Sequence, residues 1–277
     1  MRSFKQVDVF TAVPYRGNPL AVVMDGDGLT TEEMQRFANW TNLSETTFIL
    51  PPTDPSADYR VRIFTTDVEL PFAGHPTIGT CHAWLEAGGI PTSDGVVVQE
   101  CGAGLITLRN TGRLAFAAPP LDRSGPVDDA DLDDVCAVLG IARSEIVDAA
   151  WADNGPGWIA VQLADAEAVL ALEPQMTARP TYKIGVVGAH PAGHEAAIEV
   201  RALFKMGISP GAEDPVTGSL NAALAQWLLA NGTLTSPYVA IQGTAIGRSG
   251  RVFVEEADGE IWIGGDAVTC IDGTVEL

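Results

Sequence analysis

Apolar and polar residues alternate over short stretches along most of the chain, a pattern that predicts strands more often than helices. In YRVRIF at residues 59–64, apolar side chains alternate with arginines, as expected for a strand with one face in water. GLITLR at 104–109 and RLAF at 113–116 flank NTG at 110–112 and predict a β-hairpin. Further strands are predicted at residues 157–163, 183–187, 197–204, 238–242, 251–255 and 260–263. This spacing is typical of a barrel or a curved sheet.

Four segments have a helical pattern. A capping box opens the amphipathic helix predicted at residues 30–40, and a second helix is predicted at 131–139. Residues 76–87 and 219–230 differ from these because they are apolar or small on nearly every face. A helix of this kind must be enclosed by other elements. The chain therefore predicts an α+β fold in which a sheet wraps around a central helix, and the pattern occurs twice.

An acidic, proline-containing stretch at residues 119–131 separates the two occurrences. It predicts two halves, residues 1–118 and 119–264. Each half has a glycine turn before its apolar helix, AGH at 73–75 and TGS at 217–219. A shifted register of this repeat, P-x-x-G-T/S, fits as well, so the register stays open.

Composition limits the classes of partner. Of 277 residues, 46% are hydrophobic and 19% charged, which is enough apolar material for a packed core and excludes a disordered chain. The net charge of −20 argues against nucleic acid and anionic membranes, because both are bound by clustered Lys and Arg. A helix N-terminus can still bind a small anion on such an acidic protein.

The amino terminus lacks the apolar segment of a signal peptide, and the apolar run at 220–230 is too short to span a membrane. The four cysteines are scattered without a Cys-x-x-Cys pair, which favours free thiols in a reducing compartment. We expect a cytoplasmic protein.

The two glycine turns carry the candidate chemistry. FAGHPT at 72–77 and EDPVTGS at 213–219 each place polar groups immediately before an apolar helix. Such a turn directs unpaired backbone N–H groups and the positive end of a helix at one point. Two of these turns predict a site for a small anion, most simply a carboxylate.

Glu45, in LSETTF at 43–48, is the best candidate for an acid or base, because its apolar flanks would partly desolvate it. His75 at a helix start is a candidate proton donor or substrate contact. Ordinary roles remain open: a solvated carboxylate for Glu45, a structural role for His75, and N-caps for Asp214, Thr217 and Ser219.

Other motifs do not support a metal or a cofactor. In HPAGH at 190–194, Pro and Gly break the helix that would place both histidines on one face. His82 and Glu86 lack a third ligand. The chain contains no phosphate loop, dinucleotide fingerprint or nucleophile elbow. We therefore expect neither metal nor cofactor.

Six short segments together resemble the PhzF-like family of phenazine biosynthesis, which shares the diaminopimelate epimerase fold. They occur in the family's order across the whole chain: VDVF at 7–10, GNPLAVV at 17–23, LSETTF at 43–48, FAGHPT at 72–77, EDPVTGS at 213–219 and QG at 242–243. The resemblance implies two pseudo-symmetric halves, each a β-barrel-like sheet wrapped around a central α-helix, with the active site between them. It also implies that a last strand from 265–277 completes the first half, and that the protein is a homodimer.

The resemblance also implies roles for individual residues. Epimerases and racemases of this fold carry paired cysteines at the two turns, whereas Ala73 and Thr217 stand here, so a two-thiol racemisation is not available. Glu45 matches the catalytic glutamate of PhzF-like proteins. His75 and Asp214 are the other two residues expected to be catalytic, since they would orient the substrate and handle its polar protons. The residues expected to bind the substrate are Asn18, Gly74, Thr217, Gly218 and Ser219.

The expected function is a cofactor-independent isomerase that moves a proton and a double bond within a small unsaturated or hydroxylated carboxylic acid. A dihydro-hydroxyanthranilate-like compound in secondary metabolism is the implied substrate. Two alternatives stay open. One is an epimerase or racemase of an amino-acid-like substrate that uses non-thiol bases, for example Glu45 and His75. The other is a non-catalytic protein that binds small acids.

Overall fold

The computed structural model describes residues 1–205 and 211–277, which form two compact units. Unit 1 consists of Met1–Ala117 and Gly264–Leu277, and unit 2 of Ala118–Ile263. Both units contain strands and helices, which confirms the α+β class. The pseudo-symmetry of the two halves stays a prediction.

Unit 1 contains all three strands that the alternating pattern predicts before residue 118, together with strands that it did not predict. Its elements are β1 (Arg2–Val9), β2 (Asn18–Val23), α1 (Thr31–Thr41), β3 (Glu45–Leu50), β4 (Tyr59–Phe64), β5 (Glu69–Leu70), α2 (Gly74–Glu86), β6 (Val96–Cys101), β7 (Gly104–Asn110), β8 (Leu114–Ala117) and β18 (Ala267–Val275).

The strands of unit 1 pair in the order β18–β1–β2–β3–β4–β6–β7–β8, with β5 paired to β4. The β2–β3 and β4–β6 pairs are parallel and the others are antiparallel. Strands β7 and β8 form the predicted hairpin. Strand β18, near the carboxyl end of the chain, pairs along the whole of β1.

Helix α2 lies in the core of unit 1 and contacts β1, β2, β3, β6, β8 and β18. Nine of its 13 residues are buried, which confirms that this apolar helix is enclosed. A Cβ atom on Gly79 would lie 2.6 Å from Leu20 and 2.7 Å from Val9. The glycine therefore lets the helix approach the sheet more closely than any side chain would allow.

Unit 2 has the same mixture of short strands and helices. Its elements are β9 (Arg123–Pro126), α3 (Asp129–Leu139), β10 (Asp148–Asp153), β11 (Ile159–Gln162), α4 (Ala166–Leu170), β12 (Tyr182–Ala189), β13 (Ile198–Lys205), β14 (Ala212–Asp214), α5 (Gly218–Ala230), β15 (Tyr238–Gln242), β16 (Gly250–Ala257) and β17 (Glu260–Gly265), whose last two residues belong to unit 1.

The strands of unit 2 pair in the order β9–β10–β11–β12–β13–β15–β16, and β14 also pairs with β13. Helix α5 is buried at eight of its 13 positions and contacts β10. A Cβ atom on Gly185 of β12 would lie 2.2 Å from Leu220 of α5, so β12 also lies close to this helix.

Periodicity and capping residues in the sequence predicted where most helices lie, but predicted their ends less accurately. Thr30 and Glu33 form the predicted capping box of α1. Helix α3 begins at Asp129, two residues before its predicted start, because Asp128 caps it. The five-residue helix α4 was not predicted, since one turn carries too little periodicity. None of the helices in the described ranges is long and apolar enough to cross a membrane.

Candidate active site

The first turn of α2 has no side-chain cap. Ala73 occupies its N-cap position in an extended conformation, with φ −153° and ψ 136°, and has no side-chain oxygen to accept a hydrogen bond. The helix begins at Gly74, two residues before the predicted start at Pro76. The first backbone N–H groups of a helix, here those of Gly74 and His75, have no partner within the helix.

Glu45 and His75 form a side-chain pair at this turn. The Glu45 Oε2 atom lies 2.9 Å from His75 Nδ1. The side chains are 18% and 4% exposed, respectively, so the pair is largely shielded from water. His75 Nε2 is buried and has no hydrogen-bond partner among the described residues. The structure thus brings together two of the three predicted catalytic residues and leaves one imidazole nitrogen for a ligand.

Both members of the pair lie on ordered elements. Glu45 is the first residue of β3 and pairs with Leu20 of β2. His75 is the second residue of α2, which is fixed in the core of unit 1. A Cβ atom on Gly74 would lie 2.3 Å from the ring of Phe116, so only glycine allows the start of α2 to pack against β8.

Asn18 is buried at the start of β2, where it pairs with Val9 of β1. The loop before it is held by Asp8, whose Oδ2 accepts hydrogen bonds from the N–H groups of Arg16 at 2.8 Å and Gly17 at 3.0 Å. A Cβ atom on Gly17 would lie 2.1 Å from the Val9 carbonyl oxygen. These contacts fix the backbone position of Asn18.

In unit 2, Asp214 and Thr217 bond to each other at the start of α5. Thr217 occupies the N-cap position, but its side chain does not cap the helix. Its hydroxyl donates to Asp214 Oδ2 at 2.5 Å. Asp214 lies in β14, outside the helix. Thr217 is therefore the N-cap residue by position without a side-chain cap, Asp214 lies outside the helix, and the first turn of α5, like that of α2, has no side-chain cap.

A buried glutamine, Gln242, holds this turn in place. Its Oε1 accepts hydrogen bonds from the Thr217 N–H at 3.0 Å and from Asn221 Nδ2 at 2.8 Å. Its Nε2 donates to the Asp214 carbonyl at 3.0 Å and to Thr217 Oγ1 at 2.9 Å. Gln242 belongs to the QG motif at 242–243, but this role could not be predicted for it, because nothing local in the sequence indicates a contact across 25 residues.

Ser219, predicted as a substrate contact or an N-cap, is the second residue of α5 and lies one position inside the helix after Gly218. Its hydroxyl accepts a hydrogen bond from Trp158 Nε1 at 3.1 Å, and its carbonyl accepts one from Asn154 Nδ2 at 2.9 Å. Trp158 and Asn154 were not singled out in the sequence, since neither belongs to a recognised motif.

The thiols offer no reactive pair. Burial raises the pKa of the Cys81 thiol to about 12, and burial is also the main cause that raises the pKa of Cys101, Cys136 and Cys270. At neutral pH all four are protonated and are poor nucleophiles or bases. With Ala73 and Thr217 at the two turns, these pKa values leave carboxylate and imidazole groups as the available acid–base residues.

The described residues contain no cluster of three or more His, Cys, Asp or Glu side chains suited to a metal ion. The rings of His190 and His194 stack with their centroids 3.9 Å apart, and His190 Nε2 lies 3.1 Å from Glu199. The two imidazoles face each other in parallel planes instead of converging on one point.

Comparisons with protein families and with known sequences support the resemblance to the PhzF-like family. The family model described as "Phenazine biosynthesis-like protein" matches residues 7–273. Antisense-enhancing sequence 1 of Schizosaccharomyces pombe is 37% identical over 98% of this chain and 97% of its own length. Trans-2,3-dihydro-3-hydroxyanthranilate isomerase of Pseudomonas fluorescens is 33% identical over the full length of both chains. A Mesorhizobium japonicum relative named as an uncharacterized isomerase is 33% identical over 98% of both.

Solved structures have the same fold. A PhzF-family protein of Bacillus anthracis superimposes with a TM-score of 0.83 at 23% identity, covering 100% of this chain and 99% of that one. A hydroxyproline epimerase of Agrobacterium vitis superimposes with a TM-score of 0.59 at 16% identity, covering 99% and 93%. The chain belongs to the PhzF-like, or phenazine biosynthesis-like, protein family, and its relatives confirm the predicted enzyme class, isomerase.

Proposed function

We propose that this protein is a cofactor-independent isomerase that moves a proton, and with it a double bond, within a small unsaturated or hydroxylated carboxylic acid. The observation that carries the proposal is the contact between Glu45 Oε2 and His75 Nδ1 at the start of α2. A shielded carboxylate beside an imidazole is suited to general acid–base catalysis.

Glu45 is the proposed proton carrier. Its ionised carboxylate removes a proton from a carbon atom of the substrate, and the electron pair of that C–H bond moves into the conjugated system of the acid. The protonated carboxyl then returns the proton to a different carbon on the same face, which completes the shift of the double bond. No electron acceptor or donor is needed, since the substrate and product are isomers.

His75 is proposed to orient Glu45 and to contact a polar group of the substrate. When the Glu45 carboxylate is ionised, His75 Nδ1 carries the proton of the hydrogen bond between them. His75 Nε2 then serves as an acceptor in the neutral ring or as a donor in the charged ring. A substrate hydroxyl or amino group is a suitable partner for this buried atom.

The uncapped helix starts are proposed to bind negative charge. The N–H groups of Gly218 and Ser219 at α5 suit a carboxylate, and those at Gly74 suit charge that develops during proton transfer. Asp214 is proposed to handle a polar proton of the substrate while Thr217 holds it in place. Asn18, fixed at the start of β2, is proposed as an additional contact.

A substrate like trans-2,3-dihydro-3-hydroxyanthranilate is proposed, together with a role in secondary metabolism. Two Pseudomonas relatives that align with all of this chain, from Pseudomonas fluorescens and Pseudomonas chlororaphis, carry the name of the isomerase for that compound. It is a small acid with a hydroxyl group, an amino group and a ring double bond system. It therefore combines the carboxylate and the polar groups for which the proposed residues are suited.

The test is to incubate the protein with trans-2,3-dihydro-3-hydroxyanthranilate in deuterated water and to follow the reaction by NMR and chiral chromatography. We expect a shifted double bond and hydrogen or deuterium at a new carbon position. Inversion at one carbon without a shifted double bond would favour the non-thiol epimerase. Binding without exchange or conversion, for this acid and for related unsaturated and amino acids, would favour the non-catalytic protein.

A further inference from the structure

Residues 153–158, named here the Trp158 loop, connect β10 to β11 in unit 2. The loop is built by its own hydrogen bonds: Asp153 Oδ1 accepts from the N–H groups of Gly155 at 2.9 Å and Gly157 at 2.5 Å. Both glycines have positive φ, 120° and 95°, which other residues rarely adopt. Lys183 Nζ of β12 donates to the Pro156 carbonyl at 2.6 Å. The loop is thus held in one conformation by its own hydrogen bonds and by the hydrogen bond from Lys183 of the sheet.

This loop contacts the first turn of α5 through Ser219. Trp158 Nε1 lies 3.1 Å from Ser219 Oγ, and Asn154 Nδ2 lies 2.9 Å from the Ser219 carbonyl oxygen. Trp158 is only 4% exposed, so its indole has little freedom to move. Both the hydroxyl and the backbone of Ser219 are therefore fixed by one preformed loop.

The direction of the Trp158 contact determines what Ser219 can do. An indole N–H is a donor only, whereas a serine hydroxyl has one proton and two acceptor lone pairs. Because Ser219 Oγ accepts from Trp158, its own proton is left to donate to another group. Ser219 is also in the turn whose N–H groups are uncapped, so this proton adds a donor to a site that already favours negative charge.

We propose that Trp158 is a positioning residue that orients the Ser219 hydroxyl as a donor to the substrate carboxylate, while Asn154 fixes the Ser219 backbone. This inference rests on the proposed function, which assigns the first turn of α5 to that carboxylate. Trp158 acts through Ser219 and need not touch the substrate. Trp158 fixes the first turn of α5 before the substrate binds, which reduces the conformational entropy that is lost on binding.

The experiment is a double-mutant cycle on the full-length protein, with anthranilate as a stable carboxylate probe and calorimetric titration as the measurement. Trp158→Phe keeps an aromatic ring and removes the N–H donor, and Ser219→Ala removes the hydroxyl. We expect each single variant to raise Kd about fivefold, the effect of losing one hydrogen bond. In the Ser219→Ala background the hydroxyl that Trp158 orients is gone, so Trp158→Phe should have little further effect. We expect it to change Kd less than about twofold, which is the usual error of such cycles.

Trp151→Phe is the matched control. The Trp151 indole N–H is buried without a hydrogen-bond partner among the described residues, and the Arg123 guanidinium lies 3.4 Å from the ring centroid. Phenylalanine retains a ring face for that contact. We therefore expect the control to leave the Kd of anthranilate unchanged.

The two possible failures are distinguishable. If the wild type binds no anthranilate, the carboxylate assignment of α5 fails, and with it the part of the proposed function on which the inference rests. If the wild type binds but Ser219→Ala leaves the Kd unchanged, the hydroxyl does not contact the carboxylate and the inference alone is overturned, because this substitution keeps the backbone N–H groups of α5. If Ser219→Ala weakens binding but Trp158→Phe has the same effect in both backgrounds, Trp158 only supports the fold and the inference is overturned. A general loss of stability would lower affinity equally in both backgrounds and cannot mimic the expected coupling.

Discussion

Single residues in this protein owe their chemistry to the partners that face them. The Glu45 carboxylate faces an imidazole nitrogen, and the Thr217 hydroxyl faces Asp214 instead of capping α5. The sequence motifs pointed to all four residues, but the motifs could not show which atoms meet. Glu45 and His75 are separated by 30 residues, and only the packing of β3 and α2 brings them together.

The thiols should be dispensable for the reaction. Since all four have pKa values raised by burial, Cys81 to about 12, little thiolate is present at pH 7. We expect native protein treated with iodoacetamide at pH 7 to keep nearly all its isomerase activity, measured as product formed per minute. Loss of activity in proportion to the alkylation of one cysteine, followed by mass spectrometry, would contradict the carboxylate mechanism.

Among the elements, the two buried helices matter most, because each presents an uncapped first turn. Their existence could be predicted from apolar residues on all faces, and the capping box of α1 from Thr30 and Glu33 alone. The starts of α2 and α5 were placed too late, by two residues and one residue. They depend on contacts distant in sequence: Phe116 against Gly74, and Gln242 on Thr217.

Gly74→Ala should disturb the start of α2. The added Cβ would lie 2.3 Å from the Phe116 ring, so either the ring or the helix must move. Overpacking of this kind typically costs about 1–3 kcal/mol. We expect a lower midpoint in urea unfolding and, because His75 is the next residue, a lower kcat.

The matched control is Gly273→Ala in β18, where an added Cβ would meet no atom within 4 Å. It should leave both the unfolding midpoint and kcat unchanged. Equal effects of the two substitutions would show that the close approach of Phe116 to Gly74 is not what restricts that position.

Across the molecule, the first and last strands of the chain are joined in unit 1 by an ionic cluster. The buried Lys5 of β1 bonds to Glu86 Oε2 of α2 at 2.9 Å and to Asp272 Oδ2 of β18 at 2.8 Å. The hydrogen bond that Lys5 donates to the Asp272 carboxylate is the main cause that raises the pKa of Lys5. The pKa of Glu86 is lowered mainly by the hydrogen bond that it accepts from the Thr269 hydroxyl and next by the one from Lys5. Burial lowers the pKa of the neighbouring His82.

This cluster predicts a pH dependence of stability. Because the pKa of Glu86 is lower in the folded state than its ordinary value of 4.5, its ionised form stabilises the fold above about pH 4.5, and the benefit is lost as pH falls further. We expect the Tm difference between the wild type and Glu86→Gln to be positive at pH 6 and to shrink towards pH 3. Glu32→Gln, at an exposed position of α1, should show no such trend. If this Tm difference grew as the pH was lowered, the ionised form of Glu86 would not be the form that stabilises the fold.

Whether Glu45 carries the proton is tested most directly by the turnover of Glu45→Gln, compared with Glu45→Asp and the control Glu32→Gln. General acid–base catalysis typically contributes about 10²–10⁴-fold, so we expect kcat of Glu45→Gln to fall by about that factor. Glu45→Asp should retain part of the activity, since it keeps a carboxylate, and the Kd of anthranilate should stay within about threefold in all three variants. Turnover of Glu45→Gln at the wild-type rate would contradict the assignment of Glu45 as the proton carrier.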